Sequence, residues 1–432
     1  MRILHISPYF PELKTNHAGG VCMGKELETL RKTHEVHVLT FVASDFDEKL
    51  AREHAGDPTY HWVRISGLSR ILHALLLPWL PNYFAARSSL RFAWQLIRLV
   101  KKYRIQAIHA EYASMGQYLW IKHLFPGLRF HLVEHDMTAQ SFVRKCAEAE
   151  KAAASGGIAA KLKYLYAKDQ LHKVKKREAR YCGKADKAFV FNEKDRRLVR
   201  DYYGVESLVL NPYFGLEDSL LQGDFAASAT ERERYSICFL GQMGRPENDQ
   251  AGQRLIEICR RVKDKLPDLR LYLVGNRPSE VLIRRAEEAN RAFANACTVA
   301  EEGTNARSGD ENRIGTWVTV TGFVEDVDIY IRKAELAVFP LEMGAGIKVK
   351  VLRALALGTP VITGRVGTEG IDEEYRVIVP AETDAEYAEQ IVKLLERPDE
   401  LKERSARGQA FVQEHFAWEK SVKVLTEVYA ER

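Results

Sequence analysis

The chain is poor in the features that mark membrane-spanning, secreted and metal-clipped proteins. No stretch of its 432 residues approaches the ~18 uninterrupted apolar side chains of a spanning helix. Cysteine occurs six times (Cys22, Cys146, Cys182, Cys238, Cys259, Cys297), scattered and without a C-x-x-C pair. That spacing suggests neither a disulfide framework nor a zinc clip, and reduced thiols in a cytoplasmic protein are expected. The start lacks the basic segment and apolar core of a signal peptide, because residues 3–7 already read as a strand.

What is present describes a globular protein of more than one domain. Apolar residues make up 46% and charged residues 28%, and 432 residues exceed what one hydrophobic core usually organises. The net charge of +5 is unevenly spread, about +15 over residues 1–200 and about −10 over the rest. A basic half implies an anionic partner. No nucleic-acid recognition motif accompanies the charge, whereas residues 72–84 (LHALLLPWLPNYF) offer apolar and aromatic side chains near the basic stretches 87–104 and 161–180. An anionic membrane surface, met peripherally on its cytoplasmic face, is the expected partner; nucleic acid is not.

Residues 337–371 carry the clearest chemistry. An apolar run (337–341) ends in Gly344-Ala345-Gly346, helical apolar spacing follows, and Gly358-Thr359-Pro360 precedes a second apolar run (361–363) and the turn Gly367-Thr368-Glu369-Gly370. Strand, glycine turn, helix and strand make a βαβ unit. Lys348 and Lys350 stand at the helix start, where free N–H groups and the positive helix end favour phosphate.

This stretch closely resembles the donor motif of retaining glycosyltransferases of family 4 (group 1), G-x-G-x-K-x-K-x-x-E-A-x-A-x-G-x-P-V followed by G-x-E-G. The resemblance implies an α/β, GT-B architecture of two Rossmann-like domains facing across a cleft. The expected domains are 1–208 on the acceptor side, 209–412 binding the nucleotide-sugar, and a C-terminal helix, 413–432, packing back on the first. It implies transfer of a sugar, hexosyl or other, from a nucleoside diphosphate-sugar to an acceptor hydroxyl with retention, in cell-surface polysaccharide or glycolipid synthesis. No metal or cofactor is expected. A GT-B-like epimerase or hydrolase, or a non-catalytic binding subunit, would share the same architecture.

The resemblance also assigns residues. Lys348 and Lys350 would neutralise the leaving diphosphate, with Gly344, Gly346 and Ile347 completing the turn around it. Arg353 stands where the family has the glutamate that holds the ribose, and Ala345 stands at the family's other acidic place. Arg353 is therefore expected to bind phosphate, or to pair with Glu342 or Glu369 and leave one of them for the ribose. Gln242 and Asn248 occupy the places of the family's arginine–lysine clamp, with Arg245 able to reach the same region. The turn Gly322-Phe323-Val324 corresponds to the nucleobase loop.

In the first half, a loop carrying Gly19-Gly20 between the first strand and the first helix corresponds to the segment approaching phosphate and acceptor. His135, just past the strand 129–134, is expected beside the transferred sugar. His109 and Glu111, ending the preceding strand, are expected either to orient the acceptor or to bond to loops. Asp326-Val327-Asp328 spells a D-x-D, but it lies between a strand and a helix, where capping explains it without a metal.

Overall fold

The computed structural model of the chain describes residues 1–15, 18–213, 232–302, 316–344, 346–372 and 374–430. Most of residues 205–235, rich in Gly, Ser, Asp and Ala and so read from sequence as a linker, the end of 279–315, read as a polar helical excursion, and Ala345 lie outside these residues. The chain divides into two compact units, Met1–Gly215 with Trp418–Arg432, and Leu216–Ala417.

Each unit is built on a parallel sheet. The first sheet comprises β1 (Arg2–Ser7), β2 (Glu35–Val42), β3 (Tyr60–Arg64), β4 (Ala107–Glu111), β5 (Arg129–Glu134), β6 (Lys187–Val190) and β7 (Leu208–Val209), in the order β3-β2-β1-β4-β5-β6-β7. The second comprises β8 (Glu233–Leu240), β9 (Arg270–Val274), β10 (Val318–Val320), β11 (Ala334–Phe339), β12 (Val361–Thr363) and β13 (Val379–Pro380), in the order β10-β9-β8-β11-β12-β13. Helices cover these strands, so their central residues are buried on both faces and read as near-continuous apolar runs. Strand order reverses between β1 and β4, and again between β8 and β11. Loops leaving the carboxyl ends of such a pair diverge and open a crevice, where open α/β sheets bind ligands.

Local sequence explains the element boundaries. Asn192 caps the helix Glu193–Tyr203 by accepting from the Asp195 N–H, and Gly204 ends it in the left-handed region at φ 65°. The Gly156-Gly157 break separates Thr138–Ser155 from Ile158–Lys184. The segment Ala113–His123 winds as a 3-10 helix. Its Gly116 docks on Tyr181 so closely that a Cβ would lie 2.8 Å from that ring. The C-terminal helix Trp418–Ala430 belongs to the first unit, with Trp418 Nε1 donating to Thr29 Oγ1 at 3.3 Å and Ser421 Oγ to the Asn211 carbonyl at 3.1 Å.

One helix buries nothing. Gly67–Leu76 is closed at its start by a reciprocal Ser66/Ser69 capping box and has no buried residue. Its Leu68, Ile71, Leu72, Leu75 and Leu76 repeat at helical spacing along one stripe, and all are exposed, as is Trp79 just beyond. The later part of the 72–84 stretch departs from the expectation of exposure: Leu80 and Phe84 are core residues.

Candidate active site

In the second unit the phosphate-binding candidates gather at the β8–β11 switch. Helix Val349–Ala356 begins three residues after Gly346, with Lys348 at its N-cap position and Lys350 in its first turn. Gly344 and Gly346 take φ of 123° and 70°, which lets the chain turn sharply before that helix. Lys350 Nζ lies 4.6 Å from the Phe239 ring of β8 and 5.6 Å from the Phe339 ring of β11, so the ammonium sits over the reversal itself. It donates to Asn248 Oδ1 at 2.6 Å, and Asn248 Nδ2 in turn donates to the Gln242 carbonyl at 3.0 Å. Burial, reinforced by the charge of Lys348, pushes the Lys350 ammonium down to about 7. Lys348 Nζ donates to the Gly346 carbonyl at 2.6 Å and lies 4.0 Å from the buried Glu369 carboxylate.

The remaining donor candidates are distributed more widely. Arg245 is exposed, precedes the helix Pro246–Lys263, and lies 4.0 Å from Glu247. Gly322, at φ 67°, exposed Phe323 and Val324 follow edge strand β10, two strands from β8. Ile347 is half-buried just before the lysine helix. Glu342 is held by Arg254 at 3.3 Å beside a cavity of about 290 Å³.

The expected pairing of Arg353 with Glu342 or Glu369 is not what forms. Arg353 Nε donates to Asp328 Oδ1 at 2.5 Å and Nη2 to Oδ2 at 3.0 Å, a two-point fork that suits guanidinium and carboxylate geometry. Neither aspartate takes the expected capping position, which Val327 holds without a side-chain bond; Asp326 Oδ1 instead accepts from the Asp328 N–H at 2.8 Å, while the Asp328 side chain is spent on Arg353. Both partners are largely shielded, so removing either strands the other. Arg353→Ala and Asp328→Asn are each expected to destabilise the protein, with a coupling of about 1–3 kcal/mol in a double-mutant cycle of urea unfolding. Simple additivity would show that the fork contributes nothing.

In the first unit, His135 follows β5 at the carboxyl end of the sheet. Its Nε2 lies 2.8 Å from Glu111 Oε2, and its ring stacks on Tyr112 at 3.9 Å and contacts Phe191 at 4.4 Å. The chain beyond is fixed by Glu178, whose carboxylate accepts from the N–H groups of Thr138 and Ala139 at 2.7 and 3.1 Å. Gly19 and Gly20 were expected in a loop but lie in the first turn of helix Ala18–Arg31. Close packing explains Gly19: a Cβ there would lie 1.9 Å from the Tyr112 hydroxyl and 3.5 Å from His135 Nδ1.

Glu111 does bond to a loop residue, His135 just past β5, whereas His109 bonds to residues of helices and strands. Both belong to a fully buried polar cluster at the β1–β4 switch. His5 and His109 sit side by side in register, as do His109 and His131 on the next strand. Glu111 Oε1 lies 2.9 Å from His5 Nε2 and 3.2 Å from His109 Nε2. His109 Nε2 also lies 3.0 Å from Glu26, and its Nδ1 is joined to the Tyr429 hydroxyl at 2.7 Å. Burial opposes ionisation of Glu111, yet hydrogen bonds from His109, His135 and His5 hold its carboxyl well below the usual range. Burial also opposes charging of His109, but Tyr429, Glu111 and Glu26 hold it well above the usual imidazole range. Burial and Glu111 together push Glu26 up. The possible ligand atoms of His5, His109 and Glu111 lie within 4.8 Å of one another. Glu111 Oε1 bridges the two rings at hydrogen-bond length, so pairing accounts for the cluster without a cation.

Sequence reasoning missed His5, Glu26, Tyr112, Tyr429, and the Asp328 and Asn248 contacts. The available signal was polar residues, His5 and His109, inside otherwise apolar central strands, since buried polar groups need partners.

Comparison with known proteins bears on the family and the fold. Residues 24–211 match "Glycosyltransferase Family 4" and residues 234–397 match "Glycosyl transferases group 1". No curated protein sequence matches the chain. Among solved structures, it is similar to sucrose-phosphate synthase of Thermosynechococcus elongatus, at 17% identity and TM-score 0.62 over 100% of this chain and 98% of that one. It is also similar to HepE of Anabaena with UDP, at 12% identity and TM-score 0.62 over 100% of both chains. A variant of S. aureus TarM with UDP is similar at 10% identity and TM-score 0.59 over 99% of both. At these identities the likeness is one of fold, which is GT-B. The sequence matches reach into both units, and the chain belongs to the group 1, family 4 glycosyltransferases, retaining enzymes that take their sugar from a nucleotide-sugar.

Proposed function

We propose that the chain transfers a sugar from a nucleoside diphosphate-sugar to a hydroxyl of a glycan or glycolipid acceptor at an anionic membrane surface, in cell-surface polysaccharide or glycolipid synthesis. The observation that carries the reading is Lys350, a desolvated lysine over the β8–β11 reversal beside a glycine turn and a helix start. A diphosphate placed there meets two ammonium groups and the positive end of helix Val349–Ala356, and the charge growing on it as the sugar leaves is stabilised electrostatically. That function is assigned to Lys350 and Lys348, with Arg245 and the amides of Gly344, Gly346 and Ile347 around them, and no metal or cofactor is assigned. Arg353 is engaged by Asp328, so ribose recognition is assigned to Glu369, whose carboxylate lies 4.0 Å from Lys348. Gly322-Phe323-Val324 is assigned to the base. His135 is assigned to the reacting sugar, and Gly19 and Gly20 to the approach of phosphate and acceptor.

The membrane part of the proposal rests on the helix Gly67–Leu76. A second exposed apolar stripe, Ile158, Leu162, Leu165 and Tyr166, lies on helix Ile158–Lys184 among Lys161, Lys163 and Lys168. The two stripes are neighbours, because Tyr166 and Gln170 bond to Asn82, three residues beyond Trp79. Apolar side chains ringed by lysines fit an anionic lipid interface on the cytoplasmic side. No described helix is long and apolar enough to cross a membrane.

The test is to incubate the protein with a panel of nucleotide-sugars, with and without membrane lipid extract, and follow nucleoside diphosphate release. UDP-sugars head the panel, because HepE and TarM are solved with UDP and HepE also with UDP-glucose. Acceptor-dependent release is expected. Free sugar without acceptor would indicate a hydrolase, a changed nucleotide-sugar an epimerase, and binding without turnover a non-catalytic subunit. Leu72→Glu with Leu75→Glu is expected to weaken cosedimentation with phosphatidylglycerol vesicles by about tenfold or more, given ~0.8 kcal/mol per buried methylene, without changing nucleotide binding. Unchanged cosedimentation would remove the membrane from the proposal.

A further inference from the structure

The geometry points to Glu111 as the positioning residue of His135: it receives the proton of one ring nitrogen, Nε2, and leaves Nδ1 as the nitrogen offered to a ligand. This inference rests on the assignment of His135 to the reacting sugar and adds what sets that ring's tautomer and aim. The Nε2–Oε2 separation of 2.8 Å is that of a hydrogen bond, and an ionised carboxylate only accepts. A neutral His135 must therefore carry its proton on Nε2. Among the described residues Nδ1 makes no hydrogen bond, and it faces Gly19 at the start of helix Ala18–Arg31, where a Cβ would stand 3.5 Å away. Stacking on Tyr112 and contact with Phe191 remove the ring's freedom to flip.

What distinguishes this from a merely satisfied core is how much of the cluster serves one carboxylate. Glu111 uses Oε2 for His135 and Oε1 for His5 and His109, so all three imidazoles favour its ionised form. His109 is turned toward it by Tyr429 on Nδ1 and balanced by Glu26. Burying this many ionisable side chains costs more than an apolar core of the same volume would. The cluster also lies under the strand ends from which His135 emerges. Groups that hold a ligating or catalytic imidazole from behind commonly act this way, fixing tautomer and direction. The chain of contacts Tyr429–His109–Glu111–His135 ties the C-terminal helix to that ring.

The test uses the full chain labelled with 15N-histidine, the His135 signals being those lost in His135→Ala. In the wild type at neutral pH, His135 is expected in the Nε2–H tautomer, and in Glu111→Gln that preference is expected to relax. Turnover of the nucleotide-sugar identified by the panel is expected to fall about tenfold to hundredfold in kcat for Glu111→Gln, with the donor KM unchanged. Tyr429→Phe is expected to move kcat in the same direction by less. A wild-type His135 in the Nδ1–H tautomer overturns the inference, and that measurement decides it even where Glu111→Gln fails to fold. Wild-type kcat in Glu111→Gln alongside an inactive His135→Ala also overturns it, leaving the proposed function intact. Full activity in His135→Ala instead removes the assignment on which the inference rests.

Discussion

Replacing Lys350 by alanine is expected to lower kcat by about a hundredfold to a thousandfold, the usual loss when one preorganised charge-stabilising group is removed. The fold should survive, because Lys350 occupies the first turn of its helix and Asn248, which loses its bond from the ammonium, keeps its own to the Gln242 carbonyl. Circular dichroism and urea unfolding would establish that. Lys350 also makes a prediction about protons. Burial, with Lys348 adding to it, brings the free ammonium down to about 7, so at pH 8 much of it is neutral. A diphosphate beside it favours the charged form and raises its pKa. Binding a nucleoside diphosphate at pH 8 should then take up a proton, and affinity should rise as pH falls from above the bound pKa toward 7. Calorimetry in buffers of different ionisation enthalpy measures that uptake. Lys350→Met should abolish it. Equal uptake in both proteins would mean that the phosphates sit elsewhere.

The neighbours of Lys350 show why its state was not legible in the sequence. That a lysine stood at a helix start after a glycine turn could be read from residues 344–350. That its ammonium would rest on Phe239 and Phe339 and bond to Asn248, 102 residues away, could not. Asn248 was noticed only as the absence of a family lysine. The structure gives it a positive task, accepting from Lys350 and tying it to the loop after β8. Arg353 followed the same course: its departure from the family was visible, but its partner Asp328, 25 residues away, was assigned to helix capping.

The strands were legible for a physical reason. Parallel strands covered on both faces must be apolar throughout, so runs such as those of β1, β5 and β11 identify themselves. His135 was legible because it directly follows such a run. The cluster behind it was not, because a buried histidine acquires meaning only from its partners, and Tyr429 lies 320 residues from His109. The two candidate sites nonetheless fall at comparable topological places, the imidazole after β5, one strand from the β1–β4 reversal and bonded to Glu111 on β4, and the ammonium over the β8–β11 reversal itself. Each is supported by a polar partner from a neighbouring element, Glu111 on β4 for His135 and Asn248 on the helix after β8 for Lys350.

Gly275→Ala is expected to destabilise the second unit by about 4 kcal/mol or more, at the far end of single-substitution effects. Gly275 takes φ of 151°, outside the range L side chains adopt comfortably, and a Cβ there would lie 1.7 Å from the Gly241 carbonyl oxygen. The obstacle is backbone, so no rotamer change relieves it. Only separating the ends of β8 and β9 would do so, and the Gly241 N–H bond to the Val274 carbonyl at 3.0 Å holds them together. The cost should therefore appear as lost stability together with weakened nucleotide binding, because the loop after β8 carries Gln242 and leads into the helix that holds Asn248 against Lys350. Gly252→Ala is the control in the same unit. It lies within helix Pro246–Lys263, where its Cβ would meet Leu282 at 3.4 Å, an ordinary contact, and alanine favours the helix by up to about 1 kcal/mol. Urea unfolding of both variants separates the cases. A Gly275→Ala protein as stable as wild type would mean that β8 and β9 part easily at their ends, and the rim that positions Asn248 against Lys350 would not be the rigid support assigned to it.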